Sequence, residues 1–221
     1  MSPTPYVLYT CVALREILNR RAHGEQELLQ GIDEVDEAAI YYHTHSYYLH
    51  GKYEYDRYPN DFANWVAESV RDQVLSERLA VLDPFELGNA ELLREELVTV
   101  IDDHVNSLGF APRLLSGEPF EFFRAHIISI PTGNSVRSRE ELRSAITTAT
   151  PETLFYHFFE DAFRRGQRNG TLVKWVAEEL GEEALALRLS GLNPYRLHLE
   201  HLRTEILSIL DGAEEGADGG D

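Results

Sequence analysis

Apolar residues recur at helical spacing along most of the chain, and one stretch sets the frame for the rest. In Trp65–Pro84 (WVAESVRDQVLSERLAVLDP) a tryptophan helix is expected, with Phe62, Trp65, Val66 and Val70 on its buried face. A second helix follows, showing Val74, Leu75, Leu79 and Leu82 around Arg78. The pattern is written again at Trp175–Pro194 (WVAEELGEEALALRLSGLNP), 110 residues later, with nine of twenty positions identical. Unrelated segments would agree at about one or two, so the sequence predicts an internal duplication. Asp61 is the expected N-cap of the first tryptophan helix, and Asp83-Pro84 stops the helix after it. A last helix in each half carries Leu93, Leu97, Val98 and Ile101, or Leu202, Ile206, Leu207 and Leu210.

Upstream of these helices the period changes. Pro5–Leu14 (PYVLYTCVAL) is rich enough in β-branched and aromatic residues for a strand, and LREILNRR after it reads as helical up to Gly24. Glu25–Ile32 is a short helix, Asp33–Asp36 supplies caps, and AAIYYHTHSYYLHG forms the next helix. KYEYDRYPN reads as a loop. In the second half PFEFFRAHIISIP matches the first strand, with Pro131-Thr132-Gly133 turning the chain. Arg139–Ile146 parallels Glu25–Ile32, and Tyr156-His157 parallels Tyr42-His43 at an offset of 114. The expected fold is mainly α with a minor β element (α+β). Two tandem repeats, residues 1–108 and 109–211, would each be a strand followed by about five short helices. They would pack about a pseudo-twofold into one body whose shared face suits a pocket, and residues 212–221 would be a disordered acidic tail.

Composition narrows the partners. Twenty basic against thirty-eight acidic residues among 221 give a net charge of −18, which repels phosphate backbones, so no nucleic acid is expected. No apolar run approaches the roughly 20 residues of a membrane helix, and MSPTPYVLYTCVAL lacks the basic flank of a signal peptide. The single cysteine, Cys11, excludes an internal disulfide and a Cys-based zinc site. A cytoplasmic, prokaryotic setting fits these features, and a protein partner or a homodimer is the expected association.

Candidate chemistry centres on YYHTHSYYLH. His43 and His50 fall on one helical stripe but about 10 Å apart, and His45 points away, so one ion held by all three requires a broken helix. The duplication offers a different set, His43 with His157, and Asp61 and Glu160 beside them as candidate catalytic groups. Two imidazoles with carboxylates suit a divalent metal, a proton relay or an anion clamp. The plainer expectation is that each histidine hydrogen-bonds within its own half. Tyr42, His45, His50, Asn60, Tyr156, Arg78 and Arg188 complete the candidate ligand-binding set. The two arginines sit among leucines and require carboxylate or carbonyl partners. Tyr53, Tyr55 and Tyr58 lie in a polar loop where they suit a pocket or partner surface. No phosphate-binding glycine loop, HExxH, CxxC or nucleophile elbow appears.

Tyr41–His45, Asn60-Asp61-Phe62, Trp65-Val66, Tyr156-His157, Glu160 and Asn193-Pro194-Tyr195 together resemble a duplicated prokaryotic family catalogued as a domain of unknown function. The likeness spans nearly the whole chain except the tail, and it carries no established activity. The second NDF of that pattern is replaced here by Gly170-Thr171-Leu172, with Thr171 expected to cap the helix. Three readings follow. The first is a non-enzymatic interaction or regulatory protein; the others are a metal- or His-dependent enzyme with its site at the repeat interface, and a small-ligand sensor.

Overall fold

The structure is a computed structural model, and it describes residues 3–45, 57–108, 117–165 and 170–212. His50, Tyr53, Tyr55 and the acidic tail beyond Gly212 lie outside these residues. The described residues are mainly helical, with one two-stranded sheet among them. Strand β1 is Tyr6–Ala22 and β2 is Phe120–Val136. Their cross-strand contacts run Leu8 to Thr132, Glu16 to Arg124 and Arg21 to Glu121, which makes the pair antiparallel.

Two expectations about these strands are corrected. LREILNRR is extended rather than helical, although Leu14, Ile17 and Leu18 carry helical spacing. The pairing of Glu16 with Arg124 and His126, and of Arg21 with Glu121, outweighs that local preference. As a result Leu14 and Ile17 stand about half exposed, at 52% and 50%. Pro131-Thr132-Gly133 does not turn the chain either. The strand runs on to Val136, with Gly133 at φ +82 and the Thr132 hydroxyl donating to the Leu8 carbonyl.

By contact the chain divides into a central unit, Ala13–Ile128, and a terminal unit, Met1–Val12 with Ser129–Asp221. The dividing points fall inside the two strands. In the central unit α1 (Glu25–Glu34) and α2 (Glu37–Thr44) are followed by α3 (Asp61–Trp65), which widens into a π-helical turn, Val66–Val70. Then come α4 (Gln73–Ala80), α5 (Pro84–Leu87) and α6 (Ala90–Leu108). Leu28, Ile32, Ile40, Phe62, Leu75, Leu97, Phe120 and Phe122 are buried in its core. Gly31 allows α1 to lie against Phe122: a Cβ there would sit 2.2 Å from the Phe122 ring. Of the residues expected on the α4 face, Leu75 and Leu79 are buried, whereas Val74 is 61% exposed.

In the terminal unit α7 (Arg139–Thr148) and α8 (Pro151–Phe155) lead into a π-helical turn, Tyr156–Glu160, and α9 (Asp161–Arg164). After these come α10 (Thr171–Glu178), α11 (Glu183–Gly191), a 3-10 turn at Pro194–Arg196 and α12 (Leu199–Leu210). Leu142, Ile146, Leu154, Leu172, Val176, Leu189, Leu202 and Ile206 are buried. Both tryptophans anchor the chain ahead of a strand. Trp65 Nε1 donates to the Glu118 carbonyl at 2.8 Å, and Trp175 Nε1 to the Thr4 carbonyl at 2.7 Å. Among the described residues no helix is long and apolar enough to cross a membrane.

Candidate functional site

His43 stands in the last turn of α2, a helix capped at Asp36 by a bond from the Ala39 amide. Its ring is 2% exposed and packs against Phe120 and Phe62, with centroids 4.7 and 5.3 Å away. Nε2 lies 2.9 Å from the Phe123 amide of β2, which can only donate, so Nε2 carries the lone pair. The proton is therefore on Nδ1, which donates to Asp61 Oδ2 at 2.9 Å. Asn60, not Asp61, caps α3, by accepting from the Ala63 amide, and this leaves the Asp61 carboxylate available for the ring.

His157 makes the same use of a strand. Its Nε2 accepts from the Tyr9 amide of β1 at 3.0 Å. Nδ1 then donates to the Tyr6 hydroxyl at 2.9 Å, Tyr6 to Thr171 Oγ1 at 2.9 Å, and Thr171 to Asp161 Oδ2 at 2.7 Å. Burial lowers the His157 pKa to about 4, so the ring is neutral at pH 7. Thr171 does not cap α10. Gly170 occupies the cap position, and Thr171 spends its amide and hydroxyl on Asp161.

Glu160 does not join His157. The Asp161 amide bonds the Tyr156 carbonyl five residues back, and this wide turn changes which side chains share a face. Glu160 is buried and pairs with Arg164 at 2.6 Å. The carboxylate serving His157 is Asp161, which Arg165 also contacts at 3.0 Å. The remaining sequence candidates are structural neighbours of these rings or separate from them. Tyr42 is buried edge-on to His43, and Tyr156 is edge-on to His157. His45 is buried, stacks on Tyr41, and bonds the Tyr41 carbonyl through Nδ1 at 3.0 Å; burial pushes its pKa down to about 3. Asn60 is buried and also donates to the Leu79 carbonyl. Arg78 and Arg188 are half-buried on α4 and α11. Tyr58 packs against the central core and receives a bond from Gln73.

A different cluster was not singled out by the sequence. Glu25 at the start of α1, Asp72 at the cap of α4 and His104 on α6 place three ligand atoms within 4.8 Å of one another. His104 Nε2 is 2.6 Å from Asp72 Oδ2 and 3.9 Å from Glu25 Oε1. The available signal lay in the expected repeat, which sets Glu25 against Arg139, a reversal of charge, and Asp72 against Glu182, an acid in both.

The fold has a solved counterpart, the structure of OrfY from Thermoproteus tenax. It is 25% identical to this chain, covers 97% of it and 98% of its own length, and superposes with a TM-score of 0.83. No curated protein matches the chain. A family model described as "Family of unknown function (DUF5752)" matches residues 3–211, and the chain belongs to that family.

Proposed function

We propose that this protein works by binding rather than by turnover, as a non-enzymatic interaction or regulatory protein built on a duplicated strand-and-helix unit. One observation carries the reading. The two histidines best placed for chemistry, His43 and His157, spend both ring nitrogens inside their own units. A general base needs a lone pair facing substrate, and a metal ligand needs one facing the ion; here both lone pairs hold strand amides. Matching sequence positions do matching work, His43 with Phe123 and His157 with Tyr9, as a copied structural element would. The half-exposed apolar side chains of β1 are consistent with a protein partner or a second copy of the chain, and the charge of −18 disfavours nucleic acid.

Long-range ¹H–¹⁵N spectra of the imidazoles test the reading. His43 and His157 should both show the Nδ1–H tautomer, with Nε2 unprotonated. Either ring appearing as the Nε2–H tautomer at pH 7, with its signals moved by added Zn²⁺, would return the protein to the histidine-dependent enzyme class.

A further inference from the structure

We propose that Glu25, Asp72 and His104 form a binding site for a divalent transition-metal ion in the central unit, separate from the two histidine–strand contacts. The donor set is one imidazole nitrogen and two carboxylate oxygens, brought together from two helices and the cap of a third. That mixture suits Zn²⁺ and its neighbours in the first transition row, with further positions left for water. His104 and Asp72 have side chains only 6% and 5% exposed, and Glu25 is 10% exposed. Carboxylates that far from water are retained where a cation or strong hydrogen bonds hold them.

The geometry is already partly organised. Asp72 Oδ1 accepts from the Leu75 amide as the cap of α4, which fixes the carboxylate and turns Oδ2 toward His104. Zinc at about 2.0–2.2 Å from each donor requires the donors to stand roughly 3.0–3.5 Å apart. Small side-chain rotations therefore suffice, opening the 2.6 Å Asp72–His104 contact and closing the 3.9 Å Glu25–His104 gap.

The terminal unit supplies the independent observation. Arg139 stands there at the position matching Glu25, and Glu182 at the position matching Asp72. Arg139 pairs with Glu182 at 3.2 Å and donates through Nε to the Leu210 carbonyl near the end of α12. One unit thus carries a covalently attached cation at this place. The other carries a carboxylate in its stead, with an imidazole added from its last helix.

The test uses the full chain, stripped with chelator and titrated with Zn²⁺ by calorimetry and with Co²⁺ by visible absorption. One ion per chain should bind with micromolar or tighter affinity, and the Co²⁺ spectrum should report nitrogen and oxygen donors. Glu25→Arg installs the guanidinium of the other unit and should weaken Zn²⁺ binding about 100-fold or more while the protein melts as a folded chain. Glu25→Gln and His104→Gln should weaken it as well, and they decide the matter if Glu25→Arg does not fold. His201→Asn, which alters an exposed His201–Glu205 pair, should leave affinity unchanged. No binding by the wild type at 1 mM metal, or equal binding by wild type and all Glu25 and His104 variants, overturns the proposal.

Discussion

In both units a histidine Nε2 holds a strand amide, but the proton on Nδ1 is anchored in two ways. In the central unit Nδ1–H reaches the carboxylate of Asp61 directly. In the terminal unit Thr171 stands 110 residues after Asp61, and Tyr6 stands 114 residues before Phe120, the offsets of the expected repeat. Two hydroxyls, of Tyr6 and Thr171, then carry the connection on to Asp161. The amide contact is common to both, while the route to a carboxylate differs. A strand in a two-stranded sheet presents amides along its outer edge that no third strand can take, and a buried amide left unbonded is costly. A histidine at each site answers that need. Catalysis would instead demand that the proton route stay the same.

The strongest test of this comparison removes the rings. His43→Ala takes away a buried imidazole packed against Phe120 and Phe62, and with it the ring's bonds to the part-buried Phe123 amide and Asp61 carboxylate. The loss should be about 3–5 kcal/mol in urea unfolding, and His157→Ala should fall in the same range. Losses below about 1 kcal/mol in both would mean that the rings do not anchor the strands.

Acid provides the next largest effect. His157 is lowered to about 4 and His45 to about 3, in each case first by burial, against about 6.5 in an unfolded chain. For a histidine held neutral by the fold, the stabilising contribution is complete above the unfolded value and is lost as pH falls toward the folded one. Between about pH 6.5 and 4 the unfolded chain binds the extra proton, so stability rises with pH there, by up to about 1.4 kcal/mol per pH unit from each ring. His157→Asn should remove one ring's share of that slope, about 3 kcal/mol over the whole window. An unchanged slope between pH 4.5 and 6.5 would show that His157 already ionises in the folded protein. Asp161, lowered mainly through its bonds from Thr171 and Arg165 against the opposing effect of burial, loses its own contribution at more acid pH.

How far the sequence disclosed this arrangement depends on the range of the interaction. The tryptophan helices were legible because Trp65, Leu75, Leu79 and their counterparts keep a local period that packing then satisfies. The extension of β1 through Leu14–Arg21 was not, because its cause lies about a hundred residues away in Glu121, Arg124 and His126. His43 with Asp61 could be suspected from motif alone. Asp161 and Tyr6 could not: a π-helical turn moves Asp161 into the place that α-helical spacing assigns to Glu160, and Tyr6 arrives from the other end of the chain. Glu25, Asp72 and His104 come from two helices and the cap of a third, and no short spacing announces them.

The smallest predicted effects compare the two proton routes directly. Tyr6→Phe gives the terminal unit the same ring that Phe120 provides in the central unit, without removing any charge. Yet it leaves the buried His157 Nδ1–H without its acceptor, while the Thr171 hydroxyl keeps its bond to Asp161, and this should cost about 1–2 kcal/mol. Asp61→Asn removes a full charge, but its amide oxygen can still accept from His43 Nδ1–H, and the side chain is 22% exposed, so its other end can meet water. The cost should stay under about 1 kcal/mol, most of it from weakening a charge-assisted bond and losing an acid in the first turn of α3. Tyr6→Phe should therefore be the more damaging change in parallel urea titrations. The reverse order would mean that the Asp61 charge itself is required by His43, and the two histidines would no longer be doing the same job.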